Sequence, residues 1–127
     1  MLMEILRGKR IVVGVSGSIA AYKSALLVRL LVKAGAEVQV IMTESAKAFI
    51  TPLTLATLSK RPALSDFVAN ADGVWNNHVE LGLWADALVI APASARTLAR
   101  CALAMCDDLL SATYLSAKCP TFMAPAM

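Results

Sequence analysis

The chain of 127 residues is long enough for one domain with one core, and its 17% charged content argues against disorder. The net charge of +3 is modest, and acids and bases are interspersed along the chain, so nucleic acid is not an expected partner. No uncharged run approaches about 18 residues, so no segment is expected to span a membrane.

The apolar fraction is unusually high. It reaches 58% without glycine, whereas soluble domains have about 45–50% with glycine included. We therefore expect a sheet that is buried on both faces, together with apolar surface that another subunit or further chain covers.

The cysteines and the histidine limit the chemistry. Cys101, Cys106 and Cys119 are odd in number and form no C-x-x-C pair, and with a single histidine a metal site is not expected. Reduced thiols of this kind fit a cytoplasmic location.

The first strand leads into a turn of small residues. A β-branched run, Arg10–Val15, is followed by Ser16-Gly17-Ser18 and then by a helix-forming segment. Small residues and serine hydroxyls at a helix N-terminus bind phosphate well, so we predict a phosphate cradle at residues 16–18. Its glycine spacing matches neither the dinucleotide fingerprint nor the triphosphate loop, and an ordinary turn capped by Ser18 is the alternative. A cradle without the lysine of the triphosphate loop favours a monophosphate such as FMN.

A β-α-β unit follows from this start. Apolar residues recur at helical spacing up to Ala34, Gly35 is the expected C′ residue, and the second strand is predicted at Glu37–Met42. Such a unit implies a right-handed crossover. Thr43 lies at the carboxyl end of that strand, where it either contacts the same ligand as Ser18 or caps a helix that begins near Ser45.

The rest of the chain continues the alternation of strands and helices. A Thr51-Pro52 start signal predicts a short helix, and Asp107 is the expected N-cap of the last helix. Together the elements predict an α/β fold, a Rossmann-like (flavodoxin-type) doubly wound parallel sheet with about five strands in three layers, as a single domain over residues 1–127. The further elements are a helix to Leu58, a possible strand Ala63–Phe67, a loop Val68–Asn77, a helix His78–Ala85, a strand Ala87–Ala91, helices Thr97–Met105 and Asp108–Ala117, and a strand Thr121–Ala124.

A second strand-turn-helix junction lies at residues 92–97. It repeats the order of the first, and both junctions are expected at the carboxyl edge of the sheet, one on each side of a switch point, where they outline one crevice. His78, where a loop becomes a helix, is the one side chain with an ordinary pKa near neutrality. It is a candidate general base, and a capping or packing role is the alternative.

Four separated stretches resemble, in the same order, the FMN-dependent cysteine decarboxylases, a homo-oligomeric family that includes lantibiotic-processing enzymes. The resemblance covers essentially all of the chain and is nearest to the decarboxylase domain of bacterial bifunctional phosphopantothenoylcysteine decarboxylase/phosphopantothenate–cysteine ligase. Four matching segments are more specific than one glycine motif. The stretches are GVSGSIAAYK, AEVQVIMTESAKAFITPLTLATLS, NHVELGLWADALVIAPASARTLAR and LSAKCPTFMAPAM.

This resemblance implies a carboxy-lyase. In such enzymes the flavin oxidises a cysteinyl thiol, carbon dioxide leaves from the thioaldehyde acid, and in the coenzyme A branch the reduced flavin returns the electrons. For this chain it implies conversion of 4'-phosphopantothenoylcysteine to 4'-phosphopantetheine, with FMN as cofactor, homotrimers with FMN at the subunit boundary, and a ligase domain fused in the full-length protein. His78 matches the active-site histidine. The residues expected at FMN are Gly17, Ser18, Ile19, Thr43, Ser94, Ala95, Arg96, Thr97 and Ala126.

The sequence also departs from the family pattern. Arg96 replaces a small polar residue, Ala104 replaces a glycine, and Cys106 replaces an alanine. The sequence ends at Met127, before the motif that supplies an asparagine and before the cysteine-bearing flap, whose cysteine Cys119 does not match. We therefore expect a C-terminally truncated sheet and weak or absent catalysis. The alternatives are an FMN-binding regulatory relative without catalysis, a flavin prenyltransferase and, as the weakest, a nicotinamide-binding domain.

Overall fold

Four parallel strands form the central sheet, in the order β2-β1-β3-β4. The computed structural model describes residues 4–68, 73 and 76–126. Short 3-10 turns at Ile19–Tyr22 and Glu44–Ala48 follow β1 and β2. The strands are β1 (Arg10–Val15), β2 (Glu37–Met42), β3 (Ala87–Ala93) and β4 (Thr121–Pro125), and the helices are α1 (Lys23–Lys33), α2 (Pro52–Ser59), α3 (His78–Trp84), α4 (Ala95–Ala102) and α5 (Leu109–Ser116).

The order of the strands reverses next to β1. The chain passes from β1 to β2 on one side, and later returns to place β3 and then β4 on the other side. The carboxyl ends of β1 and β3 therefore flank a topological switch point, where open α/β sheets bind their ligands. This arrangement confirms the predicted doubly wound parallel fold.

Helices cover both faces of the sheet. One core contains Val13, Val40 and Leu55 under α1 and α2, and the other contains Leu88 and Leu110 on the side of α4 and α5. Because β1 contributes side chains to both cores, its sequence is apolar without interruption from Ile11 to Val15. Strand β2 also contributes to both cores, and it is continuously apolar only over residues 40–42, since Glu37 and Gln39 alternate with Val38 and Val40 in its first half. The molecule thus has the three layers that the sequence predicts.

The end of α1 confirms the prediction for Gly35. Its φ angle is +98°, its N–H donates to the carbonyl of Val32, and the N–H of Ala36 donates to the carbonyl of Leu31. These two bonds form a Schellman motif, in which a left-handed residue stops the helix. The chain then enters β2 at the predicted residue.

The prediction of about five strands is wrong, because the segment Ala63–Phe67 forms one bridge only. Leu64 pairs in parallel with Ile41, its N–H donates to Val40, and its carbonyl accepts from Met42. Pro62 precedes this segment and offers no N–H for a longer ladder. Residues 65–67 then leave β2 at its carboxyl end.

Two helix starts also differ from prediction. Helix α4 begins at Ala95, not at Thr97, because Ser94 caps it, and it ends before Met105 with Ala104 at a φ angle of +56°. The N-cap of α5 is Asp108, whose carboxylate accepts the N–H of Ser111 at 2.8 Å, not Asp107. Most of the predicted loop Val68–Asn77 lies outside the described residues.

Within the described part of the chain, none of the helices combines the length and the apolar character needed to cross a bilayer. The longest, α1, has 11 residues.

Candidate functional site

Ser16 joins the two turns at the switch point. Its hydroxyl donates to the carbonyl of Pro92 at 2.5 Å and accepts the N–H of Ser94 at 2.7 Å. The side chain is fully buried. The single hydroxyl proton of Ser16 is already donated within the protein, so it is not available to a phosphate. Ser16 is therefore a structural tie between the two turns and not a member of the predicted phosphate cradle.

Gly17 and Ser18 form the turn that follows. Ser18 caps the 3-10 turn, since its Oγ accepts the N–H of Ala20 at 3.1 Å, and its place in a phosphate cradle stays a prediction. A Cβ added to Gly17 would lie 2.5 Å from the Oγ of Ser45 and 2.7 Å from its Cβ. Only glycine therefore lets this turn approach the residues after β2 so closely. Ile19 follows with 75% of its surface exposed.

Thr43 is buried at the carboxyl end of β2. It occupies the N-cap position of the next 3-10 turn, but its side chain makes no capping bond. Instead its Oγ1 lies 3.2 Å from the Oγ of Ser45. The predicted capping role of the Thr43 side chain is therefore wrong. Ser45 lies beside Thr43 in the structure but is not among the predicted site residues, although both hydroxyls follow the carboxyl end of β2 in the sequence.

The second turn begins α4 directly. Ser94 Oγ accepts the N–H of Thr97 and donates to its Oγ1, both at 3.3 Å, and Thr97 is buried. Ala95 and Arg96, by contrast, are exposed. The first turn of α4 thus presents Arg96 and the positive end of the helix dipole on the carboxyl side of the sheet.

A cleft of about 600 Å³ opens beside these turns. Of the predicted site residues, Thr43 and Arg96 line it together, although they are far apart in sequence. The residues that line the cleft are Thr43, Glu44, Ser45, Lys47, Ser65, Asp66, Phe67, Arg96, Arg100, Asp107, Asp108 and Leu109.

Most of the cations at this cleft are matched by acids. Lys47 pairs with Glu44 at 3.1 Å, and Arg100 pairs with Asp107 at 3.0 Å and Asp108 at 2.9 Å. Among the described residues, Arg96 makes no ion pair of this kind. Its charge is therefore available to an anionic ligand in the cleft.

His78 lies at the N-terminus of α3. The side chain of Asn77 caps this helix by accepting the N–H groups of Val79 and Glu80 at 3.0 and 3.1 Å. The imidazole contacts the ring of Phe67, with 5.9 Å between the ring centroids and 87° between the planes. Since Phe67 lines the cleft, His78 stands directly behind one of its walls.

Ala126 lies at a second, smaller cavity of about 200 Å³. Its N–H donates to the carbonyl of Ala93 at 3.0 Å, and the cavity also contains Lys23 and Leu27 from α1. The structure therefore does not place Ala126 in the same cleft as Thr43 and Arg96.

The cysteines lie apart from the cleft, whose lining in the described residues contains none of them. Burial raises the pKa of Cys101, as does the nearby charge of Asp108, and burial also raises the pKa of Cys119. Both thiols are thus poor nucleophiles at neutral pH. Cys106 is exposed.

The fold is that of a doubly wound α/β protein with a cleft beside its switch point. The family described as Flavoprotein matches residues 3–127, so the chain belongs to this family, whose name implies a flavin cofactor. The coenzyme A biosynthesis bifunctional protein CoaBC of Vibrio cholerae is 48% identical over 125 residues, which are 98% of this chain and 31% of that protein. The chain thus spans about a third of the length of such relatives.

Solved structures of similar proteins agree with this assignment. The FMN-dependent cysteine decarboxylase SpaF superposes with a TM-score of 0.86 at 35% identity, over 96% of this chain and 70% of SpaF. A cysteine-to-serine variant of PPC decarboxylase, complexed with pantothenoylaminoethenethiol, superposes with a TM-score of 0.82 at 36% identity, over 95% and 68% of the two chains. These similarities bear out the resemblance that the four sequence stretches indicate.

The residues at the switch point fit a flavin mononucleotide. Gly17 lets its turn pack closely against Ser45, the hydroxyls of Ser18 and Ser45 lie beside the turns, and Arg96, which makes no ion pair among the described residues, supplies a positive charge. Hydroxyl donors and an arginine at a helix N-terminus are the groups that phosphate requires.

Proposed function

We propose that the chain binds FMN at this switch point and acts as the decarboxylase unit for a cysteinyl substrate. The substrate that the similarities favour is 4'-phosphopantothenoylcysteine, which would be converted to 4'-phosphopantetheine in coenzyme A biosynthesis. The similarity to a coenzyme A biosynthesis bifunctional protein CoaBC and to a PPC decarboxylase extends over nearly the whole chain.

One observation carries the binding proposal. Two turns that are 76 residues apart are tied together through Ser16, so that the turn at Gly17 and Ser18 and the N-terminus of α4 at Ser94 meet at one point. A pair of such turns beside a large cleft provides backbone and hydroxyl donors to one phosphate.

The side chains have separate tasks in this proposal. Ser18, Thr97 and the backbone N–H groups that follow Ser94 at the start of α4 orient the phosphate end of the cofactor, and Arg96 neutralises its charge. Thr43 and Ser45 contact the part of FMN that lies at the carboxyl end of β2. Ile19, Ala95 and Ala126 stay predicted contacts, Ala126 from the neighbouring cavity.

His78 handles a proton in the proposed reaction. When bound, the flavin supplies a two-electron acceptor for the cysteinyl thiol. An imidazole next to the cleft wall is suited to take the thiol proton, since histidine is the commonest general base in enzymes. The apolar ring of Phe67 covers one side of the imidazole and keeps water from that side.

Titration with FMN tests the first half of the proposal. We expect quenching of the flavin fluorescence with 1:1 stoichiometry, weaker binding of riboflavin, and an Arg96→Gln variant whose affinity for FMN falls and loses part of its salt dependence. Riboflavin lacks the phosphate and is the matched control ligand. Protein that leaves the fluorescence of FMN unchanged would overturn the proposal.

A single-turnover experiment tests the second half. Under anaerobic conditions, equimolar 4'-phosphopantothenoylcysteine should bleach the absorbance of bound FMN transiently, until the reduced flavin returns its electrons, and the His78→Asn variant should bind FMN normally yet bleach at least about tenfold more slowly in a stopped-flow measurement. Bleaching that is equally fast in the variant would remove His78 from the reaction. Binding of FMN with neither transient bleaching nor release of carbon dioxide would favour the regulatory alternative.

Self-association belongs to the same proposal. Tyr22, Leu26 and Leu30 expose between 49% and 60% of their surface along one side of α1. A second copy of the chain is the expected cover for this stripe, in line with the predicted homotrimer. The fused ligase domain and the cytoplasmic location also stay predictions.

A further inference from the structure

Phe67 connects the cleft with His78. It lines the cleft at the carboxyl side of the sheet, and its ring meets the imidazole in an edge-to-face arrangement at 5.9 Å. Phe67 comes from the segment that leaves β2 after the Leu64 bridge, whereas His78 begins α3. The contact therefore joins two separate elements.

Asn76 holds the backbone of Phe67. Its N–H donates to the carbonyl of Phe67 at 2.6 Å, and its side-chain Nδ2 donates to the carbonyl of Asp66 at 2.7 Å. Two hydrogen bonds from one residue to successive carbonyls fix the position and the direction of this backbone segment. Phe67 is thereby kept next to the start of α3, which Asn77 caps.

The backbone of His78 is fixed from the other side. A Cβ added to Gly82, one turn further along α3, would lie 2.8 Å from the backbone of Ser116 in α5. Helix α3 thus packs directly against α5. The second torsion of a histidine is nevertheless broad, so a fixed backbone does not fix the direction of the ring.

We propose that Phe67, held in place by Asn76, is a positioning residue that sets the orientation of the His78 imidazole at the cleft. The edge-to-face contact favours one ring orientation over the others, because the positive edge of one ring meets the negative face of the other. The ring contact does not depend on the proposed function. The inference rests on that function only in assuming that His78 transfers a proton in the reaction.

The single histidine makes the contact directly measurable. In an NMR spectrum the imidazole resonances belong to His78 alone, since the sequence contains no other histidine. We expect NOEs between the ring protons of His78 and Phe67. In Phe67→Leu the ring-proton shifts of His78 should change clearly, and in Phe67→Tyr they should stay close to those of the wild type.

A matched control is available in the same chain. Phe122 lies on β4 with 59% of its surface exposed, so Phe122→Leu loses a phenyl ring away from His78. Its His78 shifts should equal those of the wild type. If the shifts change no more in Phe67→Leu than in Phe122→Leu, Phe67 does not position the imidazole and the inference is wrong.

Asn76→Ala provides a second, independent variant if Phe67→Leu does not fold. It keeps the phenyl ring but removes the bond to Asp66, so the NOEs between Phe67 and His78 should weaken. Unchanged NOEs in this variant would contradict the role of Asn76. In the bleaching experiment, Phe67→Leu should be slower by about two- to twelvefold at unchanged affinity for FMN.

The two proposals fail in different ways. Normal NOEs and shift changes in a protein that does not bind FMN would overturn the proposed function and leave the ring contact intact. Binding and bleaching by a protein whose Phe67→Leu variant behaves as the wild type would overturn only the positioning role.

Discussion

Strands β1 and β3 are tied to each other at both ends, by groups of opposite character. At the carboxyl ends, the buried hydroxyl of Ser16 bonds to Pro92 and Ser94. At the amino ends, the exposed carboxylate of Asp86 accepts the N–H of Arg10 at 2.8 Å and lies 3.7 Å from its guanidinium. The tie at the carboxyl ends is uncharged and buried, and the tie at the amino ends is charged and exposed to solvent.

The Ser16 tie shapes the site, whereas the tie between Asp86 and Arg10 only aligns the two strands. Removing a buried hydroxyl with two partners is costly, because the groups left behind are buried and cannot form hydrogen bonds with water instead. An exposed ion pair is weak and is screened by salt. We therefore expect substitutions at the carboxyl end to change both stability and ligand binding, and substitutions at the amino end to leave binding unchanged.

The largest effect is expected for Gly17→Ala. The new Cβ overlaps Ser45, so either the turn or the residues after β2 must move, at a cost of about 1–3 kcal/mol in the free energy of unfolding. Binding of FMN should weaken by more than tenfold, as measured by fluorescence titration. The double variant Gly17→Ala, Ser45→Gly removes the two nearest atoms, leaves the backbone carbon of residue 45 at 3.1 Å, and should recover part of the stability. Equal losses in the single and double variants would place the strain elsewhere.

Ser16→Ala should have the next largest effect. It leaves the N–H of Ser94 without its partner, and we expect the free energy of unfolding to fall by about 1–3 kcal/mol in urea denaturation. Ser94→Ala, which removes only the cap of α4, should cost about 1 kcal/mol. If Ser94→Ala were the more damaging of the two, the tie would not be the main support of the site.

The smallest effect is expected at Asp86. The backbone N–H of Arg10, and then the positive charges of Arg10 and Lys9, hold the pKa of this carboxyl below its ordinary value of 3.8. Because the pKa is lower in the folded state, the contribution of Asp86 is fully present above pH 3.8 and is lost as the pH falls through the folded pKa.

Asp86→Asn should therefore lower the stability slightly at neutral pH, and this difference from the wild type should vanish on acidification below about pH 4. Urea denaturation at several pH values checks this, and high salt should also reduce the difference. The affinity for FMN should not change. A loss of FMN binding in this variant would show that the two ends of the strands are not independent.

The strands and caps could be predicted because their signals are local. The bounds of β1 and β2 follow from β-branched runs, the stop at Gly35 from its left-handed conformation, and the start of α2 from Thr51 and Pro52. Where two neighbouring residues carry the same signal, sequence cannot choose between them. Asp107 and Asp108 are both suitable caps. Arg100 pairs with both of them, and it is Asp108 whose second carboxylate oxygen accepts the N–H of Ser111.

The sequence by itself determined the fold class, the place of the switch point and the two turns that meet there, because apolar periodicity and capping residues act over a few residues. Only the tertiary structure decided that Ser16 is a tie, that Ser45 lies against Gly17, and that Phe67 meets His78. Each of these contacts joins segments that are far apart in the chain or follow different strands. Their partners are set by how whole elements pack, which no short stretch of sequence encodes.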